Sequence, residues 1–258
     1  MEKKQRQNRR TNREIENTLI ESLENILPKY GFNEIQLSVL VKEARMDHNV
    51  FYRKYGTLEN FYDEFLNKYN FWISDKANIS KIPVIGERQF LIETMQEIFA
   101  STLDSEVMQK ILLWELEDTT PDVSRKSATN RERLTLNITS YFNERFKTIG
   151  ADYNAINALI IGGMFYIILQ KEINTLCGID VNEEEGKNRI LNGIELIFNL
   201  LFDKLEENSR ITNTIYNMAA DGIHTTKIAK YFEMTPASVR KIVSKRKDIK
   251  LADDEVSE

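Results

Sequence analysis

Apolar residues recur at three- and four-residue spacing along almost the whole chain, and only 4 prolines and 10 glycines in 258 residues interrupt them. That period lays one apolar stripe along a helix and leaves the strand period of two unfilled, so the chain is expected to be all-α. The longest apolar run, 158–169, is short of the about 20 residues needed to span a bilayer. The start, Met1 to Arg13, is polar and basic with no apolar signal-peptide core. A single cysteine, Cys177, leaves no intramolecular disulfide to form. A cytoplasmic protein without membrane contact is the expectation.

The spacing predicts a first helix at 12–29, with Ile15, Leu19, Leu23, Ile26 and Leu27 on one stripe and Gly31 as its stop. Short helices follow at 37–44 and 48–55 around a turn at Arg45-Met46, the second capped by Asp47. Thr57 caps a longer helix, 58–72, and the stretch 74–86, holding Pro83, reads as a linker. Helices are then expected at 87–103, 105–117, 122–148, 152–175 and 183–206, with three short ones in 210–247. This gives four segments: 1–56, 57–207, 208–248 and an acidic, disordered tail at 249–258.

Charge divides along the same lines. Residues 1–56 carry 11 Lys/Arg against 8 Asp/Glu, residues 57–207 carry 15 against 25, and residues 208–250 carry 9 against 3. The chain as a whole is acidic, with net charge −5, but a polyanion responds to the local basic patch rather than the total.

Two short helices crossing at a tight turn behind a longer one form a helix-turn-helix, whose second helix can enter a major groove. Leu37, Leu40, Val41, Met46, Val50 and Phe51 are placed to face inward, and His48, Asn49, Tyr52, Arg53 and Lys54 to face outward. Gly31-Phe32, Leu40-Val41, Ala44, Phe51-Tyr52, Tyr55 and Glu59-Asn60-Phe61 together resemble the DNA-binding domain of the TetR family of transcription regulators. Arg45 stands where that family commonly has a turn glycine, and Leu58 where it commonly has a phosphate-contacting lysine. The resemblance implies that His48 and Asn49 face base edges, where Asn can bond adenine in a bidentate way. It implies that Tyr52 touches the phosphate backbone, with Gln36, Lys54 and Thr57 as further phosphate contacts. The basic arm Lys3, Lys4, Arg6, Arg9 and Arg10 could follow the backbone or enter a minor groove.

A second helix-turn-helix pattern closes the chain. Ile228-Ala229, a turn, and then Thr235-x-x-Ser238-Val239-Arg240 resemble the unit found at the ends of resolvases. Ala237, Ser238, Arg240, Lys241 and Lys245 are placed to face outward, and either a DNA contact or a packing appendage fits them.

The helices near 152–175 and 183–206 are apolar on more than one face, which suits a core on one side and a second copy of the chain on the other. The family resemblance also implies a small-molecule effector, with Phe99, Trp114, Tyr141, Phe142 and Phe165 as candidate pocket residues and coupling through the helix at 58–72. The expected function is thus that of a dimeric regulator on a palindromic operator, released by ligand. A helical interaction protein whose helix-turn-helix units bind protein is the alternative. Only two histidines exist, His48 and His224, and no phosphate loop, nucleophile elbow or metal-ligand pattern appears, so neither enzyme chemistry nor a metal or other cofactor is expected.

Overall fold

The structure is a computed structural model of the chain. It describes the backbone over residues 10–76, 78–117 and 122–246, and the side chains over the same ranges apart from 70–76. The arm residues Lys3, Lys4, Arg6 and Arg9 and the tail at 249–258 lie outside the described residues. Among the described residues all regular elements are helical, with one isolated bridge between Leu176 and Ile179.

Helix α1 (Asn12–Tyr30) opens on a capping box. The Glu14 backbone N–H donates to Thr11 Oγ1 at 3.3 Å, and the Thr11 N–H donates to Glu14 Oε2 at 2.6 Å. Two of the helix's orphan donors are thereby satisfied. Gly31, at φ +70°, ends the helix. Next come α2 (Leu37–Glu43), α3 (His48–Tyr55) and α4 (Leu58–Lys76), the last begun by Thr57, whose Oγ1 accepts from the Asn60 N–H at 3.2 Å. Leu19, Leu23 and Leu27 of α1, Leu40 of α2, Phe51 of α3 and Phe61 and Phe65 of α4 are fully buried together.

The expected linker at 74–86 is mostly helical. Helix α4 reaches Lys76, Asn78 caps a 3-10 turn at Ile79–Lys81, and α5 (Ile82–Ile85) carries Pro83 in its first turn. Proline's missing N–H has no helical partner to lose at that position, so it does not break the helix. Helices α6 (Glu87–Asp104), α7 (Glu106–Glu117), α8 (Asp122–Lys147) and α9 (Tyr153–Leu169) follow. Helix α9 stops at Leu169 rather than near 175. Ile173, Asn174 and Thr175 are weak helix formers, and the chain turns through positive φ at Cys177 and Gly178.

Helix α10 (Glu184–Ala220) is 37 residues long, where the sequence pattern predicts a break near 207. Asn208 and Ser209 are only mildly unfavourable in a helix. The buried stripe also passes straight through, from Leu205 to Ile215 and Ala219. Two short helices then remain rather than three, α11 (Thr225–Tyr231) and α12 (Pro236–Val243).

The described parts of the chain form two compact units, residues 1–142 with 153–195, and residues 143–152 with 196–258. In the first, a Cβ added at Gly186 would lie 1.7 Å from the Asp180 carbonyl oxygen. Gly186→Ala is therefore expected to cost about 1–3 kcal/mol of stability. A urea midpoint equal to that of the wild type would show that the loop before α10 yields freely.

Candidate nucleic-acid interface

Helices α2 and α3 cross at a turn of four residues, 44–47, the first three of which keep their backbone N–H groups paired. Ala44 N–H donates to Leu40 O at 2.9 Å, Arg45 N–H to Lys42 O at 3.1 Å and Met46 N–H to Val41 O at 2.9 Å. Arg45 sits at φ +46°, the left-handed region, which explains why glycine suits this position in proteins that the sequence resembles. Asp47 then starts α3, its Oδ1 accepting from Asn49 N–H at 2.7 Å. Beneath α3, Phe51 meets Tyr55 and Phe61 at ring-centroid separations of 5.3 and 5.7 Å. Buried aromatic pairs of this kind fix the helix on its base.

With Phe51 and Tyr55 turned down, α3 presents His48, Asn49, Tyr52 and Arg53 to solvent, Tyr52 at 54% exposure. Gln36 and Thr57, at the starts of α2 and α4, are exposed as well. Lys54 departs from expectation, because it does not face outward with the others. Its side chain is 20% exposed, and its ammonium donates to Glu16 Oε2 at 2.9 Å and to the Asn12 carbonyl at 3.2 Å. That bond holds the Glu16 carboxyl below the usual carboxylate range, while burial and the Glu16 charge push Glu64 up. Lys54 thus fastens the far end of α3 to α1. Arg10, placed in the basic arm, reaches the turn instead, donating to the Ala44 carbonyl at 3.4 Å. Sequence spacing carries no sign of either contact, since both partners lie over 30 positions away.

The described helices match a known architecture. The chain is similar to a solved structure from Mesorhizobium loti MAFF303099 that carries a provisional assignment as a TetR-family transcriptional regulator, with a TM-score of 0.51 and 12% identity. The match covers 73% of this chain and 98% of the other. The fold is TetR-like. No model of a known protein family and no curated protein matches the chain.

The TetR-like fold also holds a cavity of about 520 Å³ among α6, α8 and α9. Met95, Ile98, Ile138, Ile161 and Phe165 give it apolar walls, with Thr94, Thr135 and Asn157 as polar points. Of the five aromatic residues expected there, only Phe165 lines it. Phe99 and Phe142 are sunk in the core, Phe142 stacked on Phe90. Trp114 stacks on Phe32 at 4.5 Å, and Tyr141 is 37% exposed with its hydroxyl on Glu87. The rings that do line the void are Phe165 and Tyr153, both on α9.

Arg131 is a residue that sequence reasoning missed. It lines the cavity, is 11% exposed and pairs with Glu115, itself 9% exposed. Its Nη1 is buried without a hydrogen-bond partner. Burial pushes the Glu115 carboxyl up despite the guanidinium beside it. A signal was present in the sequence, because Arg131 falls on the same stripe of α8 as Ser127, Ala128, Thr135 and Ile138, which face inward.

In the C-terminal unit, Ile215, Ala219, Ile228, Ala229, Val239 and Val243 make a small core of their own. The N-cap of α11 is His224, whose Nδ1 accepts from the Thr226 N–H at 3.4 Å, while Thr225 is buried. Thr235 caps α12 ahead of Pro236, its Oγ1 accepting from the Ser238 N–H at 3.2 Å. Ser238 does not stand outward. It is half-buried, and its hydroxyl pairs with Thr235 Oγ1 at 2.9 Å. Arg240, Lys241 and Lys245 are exposed. Among the described residues no group of three or more His, Cys, Asp or Glu could hold a metal ion, and no helix is long and apolar enough to cross a membrane.

Proposed function

We propose that this protein is a sequence-specific DNA-binding transcription regulator that reads its operator with α3. The observation that carries this reading is the outer face of α3. Base-capable His48 and Asn49 stand at its first turn, with Tyr52 and Arg53 one turn later, over a closely packed aromatic base. In this reading Gln36, Tyr52, Arg53 and Thr57 position the protein on phosphates, while His48 and Asn49 discriminate bases.

A homodimer is part of the proposal. Helix α9 exposes Leu159 at 78% and Tyr166 at 58%, with the bare glycines Gly162 and Gly163 between them. Helix α10 exposes Leu196 at 58% and Leu200 at 60%. Each stripe offers apolar surface to a second copy. Two copies of α3 would then meet a palindrome with half-sites about one helical turn apart.

A small effector is proposed for the cavity, an apolar molecule bearing one acceptor group that completes the hydrogen bonding of Arg131 Nη1. Helix α7 links that site to the DNA-reading unit. Its Glu115 holds Arg131, and the residue before it, Trp114, stacks on Phe32 and lies 6.2 Å from the Tyr62 ring of α4. Coupling is thus proposed through α7 together with α4. An effector that moves Arg131 favours a second arrangement of this contact, and release from DNA is the expected direction.

Selection from a random pool of duplex DNA tests the reading. An enriched palindrome supports it, and a pool that stays unenriched with weak, salt-insensitive binding rejects it.

A further inference from the structure

The two ends of the chain carry the same backbone device. Residues 223–243 follow residues 35–55 at one constant offset, with no gap. Helices α2 and α11 have seven residues each, and α3 and α12 eight each. Between them comes one residue at the helix end, then a non-glycine at positive φ, Arg45 at +46° or Glu233 at +54°. A methionine follows, Met46 or Met234, and then a capping side chain, Asp47 or Thr235. The turn hydrogen bonds also correspond. Phe232 N–H donates to Ile228 O at 3.1 Å, Glu233 N–H to Lys230 O at 3.4 Å and Met234 N–H to Ala229 O at 2.8 Å, repeating the three bonds made by Ala44, Arg45 and Met46. Leu40, Val41, Phe51 and Tyr55 are buried in the first unit, and Ile228, Ala229, Val239 and Val243 are buried at the matching places in the second.

The surfaces that this shared frame presents differ in one informative way. Where α3 exposes Tyr52 and Arg53, α12 exposes Arg240 and Lys241, with Lys245 just beyond its end and Lys227 and Lys230 on α11. From 222 to 246 there is one acidic residue, Glu233, and none of these five cations makes an ion pair among the described residues. Where α3 begins with His48 and Asn49, α12 begins with Pro236 and Ala237, which bring no side-chain donor or acceptor to a base edge.

We propose that the C-terminal unit is a second duplex-DNA site, one that grips phosphates through Arg240, Lys241 and Lys245 and contributes little base discrimination. Each subunit then carries a reading head and an electrostatic anchor. The inference rests in part on the reading of α3 as a DNA helix, but its own charge and geometry are independent of it.

The test compares three full-length proteins, the wild type, Arg240→Ala/Lys241→Ala/Lys245→Ala, and Asn49→Ala/Tyr52→Ala/Arg53→Ala. Dissociation constants are measured on a random-sequence duplex and on a duplex selected by the wild type, from 50 to 200 mM salt. The C-terminal variant is expected to lower affinity on both duplexes alike. It should also flatten the dependence of log affinity on log salt by about 1 for each phosphate no longer neutralised, up to about 3 per subunit. The α3 variant is expected to lose the preference for the selected duplex and keep the remaining, salt-steep binding. Restoring charge with Arg240→Lys/Lys241→Arg/Lys245→Arg is expected to restore the slope, which excludes misfolding as the cause. An unchanged affinity and slope in the C-terminal triple variant overturns the proposal. The same result with an altered mass in sedimentation also overturns it and assigns the surface to protein contacts. If the α3 variant alone matches the wild type, the reading of α3 fails while the anchor stands.

Discussion

Replacing Arg131 by alanine is expected to lower the unfolding free energy by about 3–5 kcal/mol, because it leaves Glu115 a buried charge without its cation. The pair lies between α7 and α8 with both side chains nearly closed to water. Desolvation dominates the Glu115 environment even with the guanidinium present. Taking two charges out of water offsets much of their attraction, so Glu115→Leu/Arg131→Leu is expected to recover most of the loss. A urea denaturation cycle over the four proteins measures this. The pH dependence has a definite sign. A carboxyl whose folded pKa is raised binds protons first in the folded state, so lowering pH through that value stabilises the fold. The deficit of Arg131→Ala relative to Arg131→Ala/Glu115→Gln should shrink as pH is lowered from neutral. A single-variant loss below about 1 kcal/mol would mean that water reaches the pair, which would remove the basis for an effector group at Arg131.

Phe51→Ala is the second large effect, at about 3–5 kcal/mol. Phe51 is fully buried in the core that α3 shares with α1, α2 and α4, and meets the rings of Tyr52, Tyr55 and Phe61. Its loss opens a cavity under the helix proposed to read DNA, so DNA binding should fall together with stability. Tyr52→Phe, on the exposed face of the same helix, should leave the unfolding midpoint where it is. Equal midpoints for wild type and Phe51→Ala would contradict the placement of α3 on this core.

The two variants also mark where sequence reasoning succeeds and where it stops. The N-terminal helix-turn-helix is legible because its signals are local. Asp47 and Thr57 cap, Gly31 and Gly56 stop, and Leu40, Val41 and Phe51 keep a helical stripe. Lys54 looks outward-facing in sequence because its partner Glu16 lies on another helix, and nothing in the spacing of α3 reveals that pairing. Helix α10 looks shorter than it is because Asn208-Ser209 resembles a turn, whereas continuous burial on either side outweighs a few tenths of a kcal/mol of propensity. The cavity is hard to read for a related reason. Aromatic content shows that a core exists but not where it leaves space, and that depends on how α6, α8 and α9 meet. Arg131 is the better clue, as a charged residue on an inward stripe. The repetition at the two ends is visible as a shared pattern, but its residue-by-residue match emerges only in the turn dihedrals and hydrogen bonds.

The central claim is that α3 reads base identity in duplex DNA. Its most direct test is the affinity of Asn49→Ala for the duplex that the wild type selects, beside its affinity for random duplex. Asn49 is exposed and its side chain packs no core, so stability should not change. A loss of about 1–3 kcal/mol is predicted on the selected duplex and none on random duplex. Equal affinity of the two proteins for the selected duplex, at matched salt, would contradict base reading by α3.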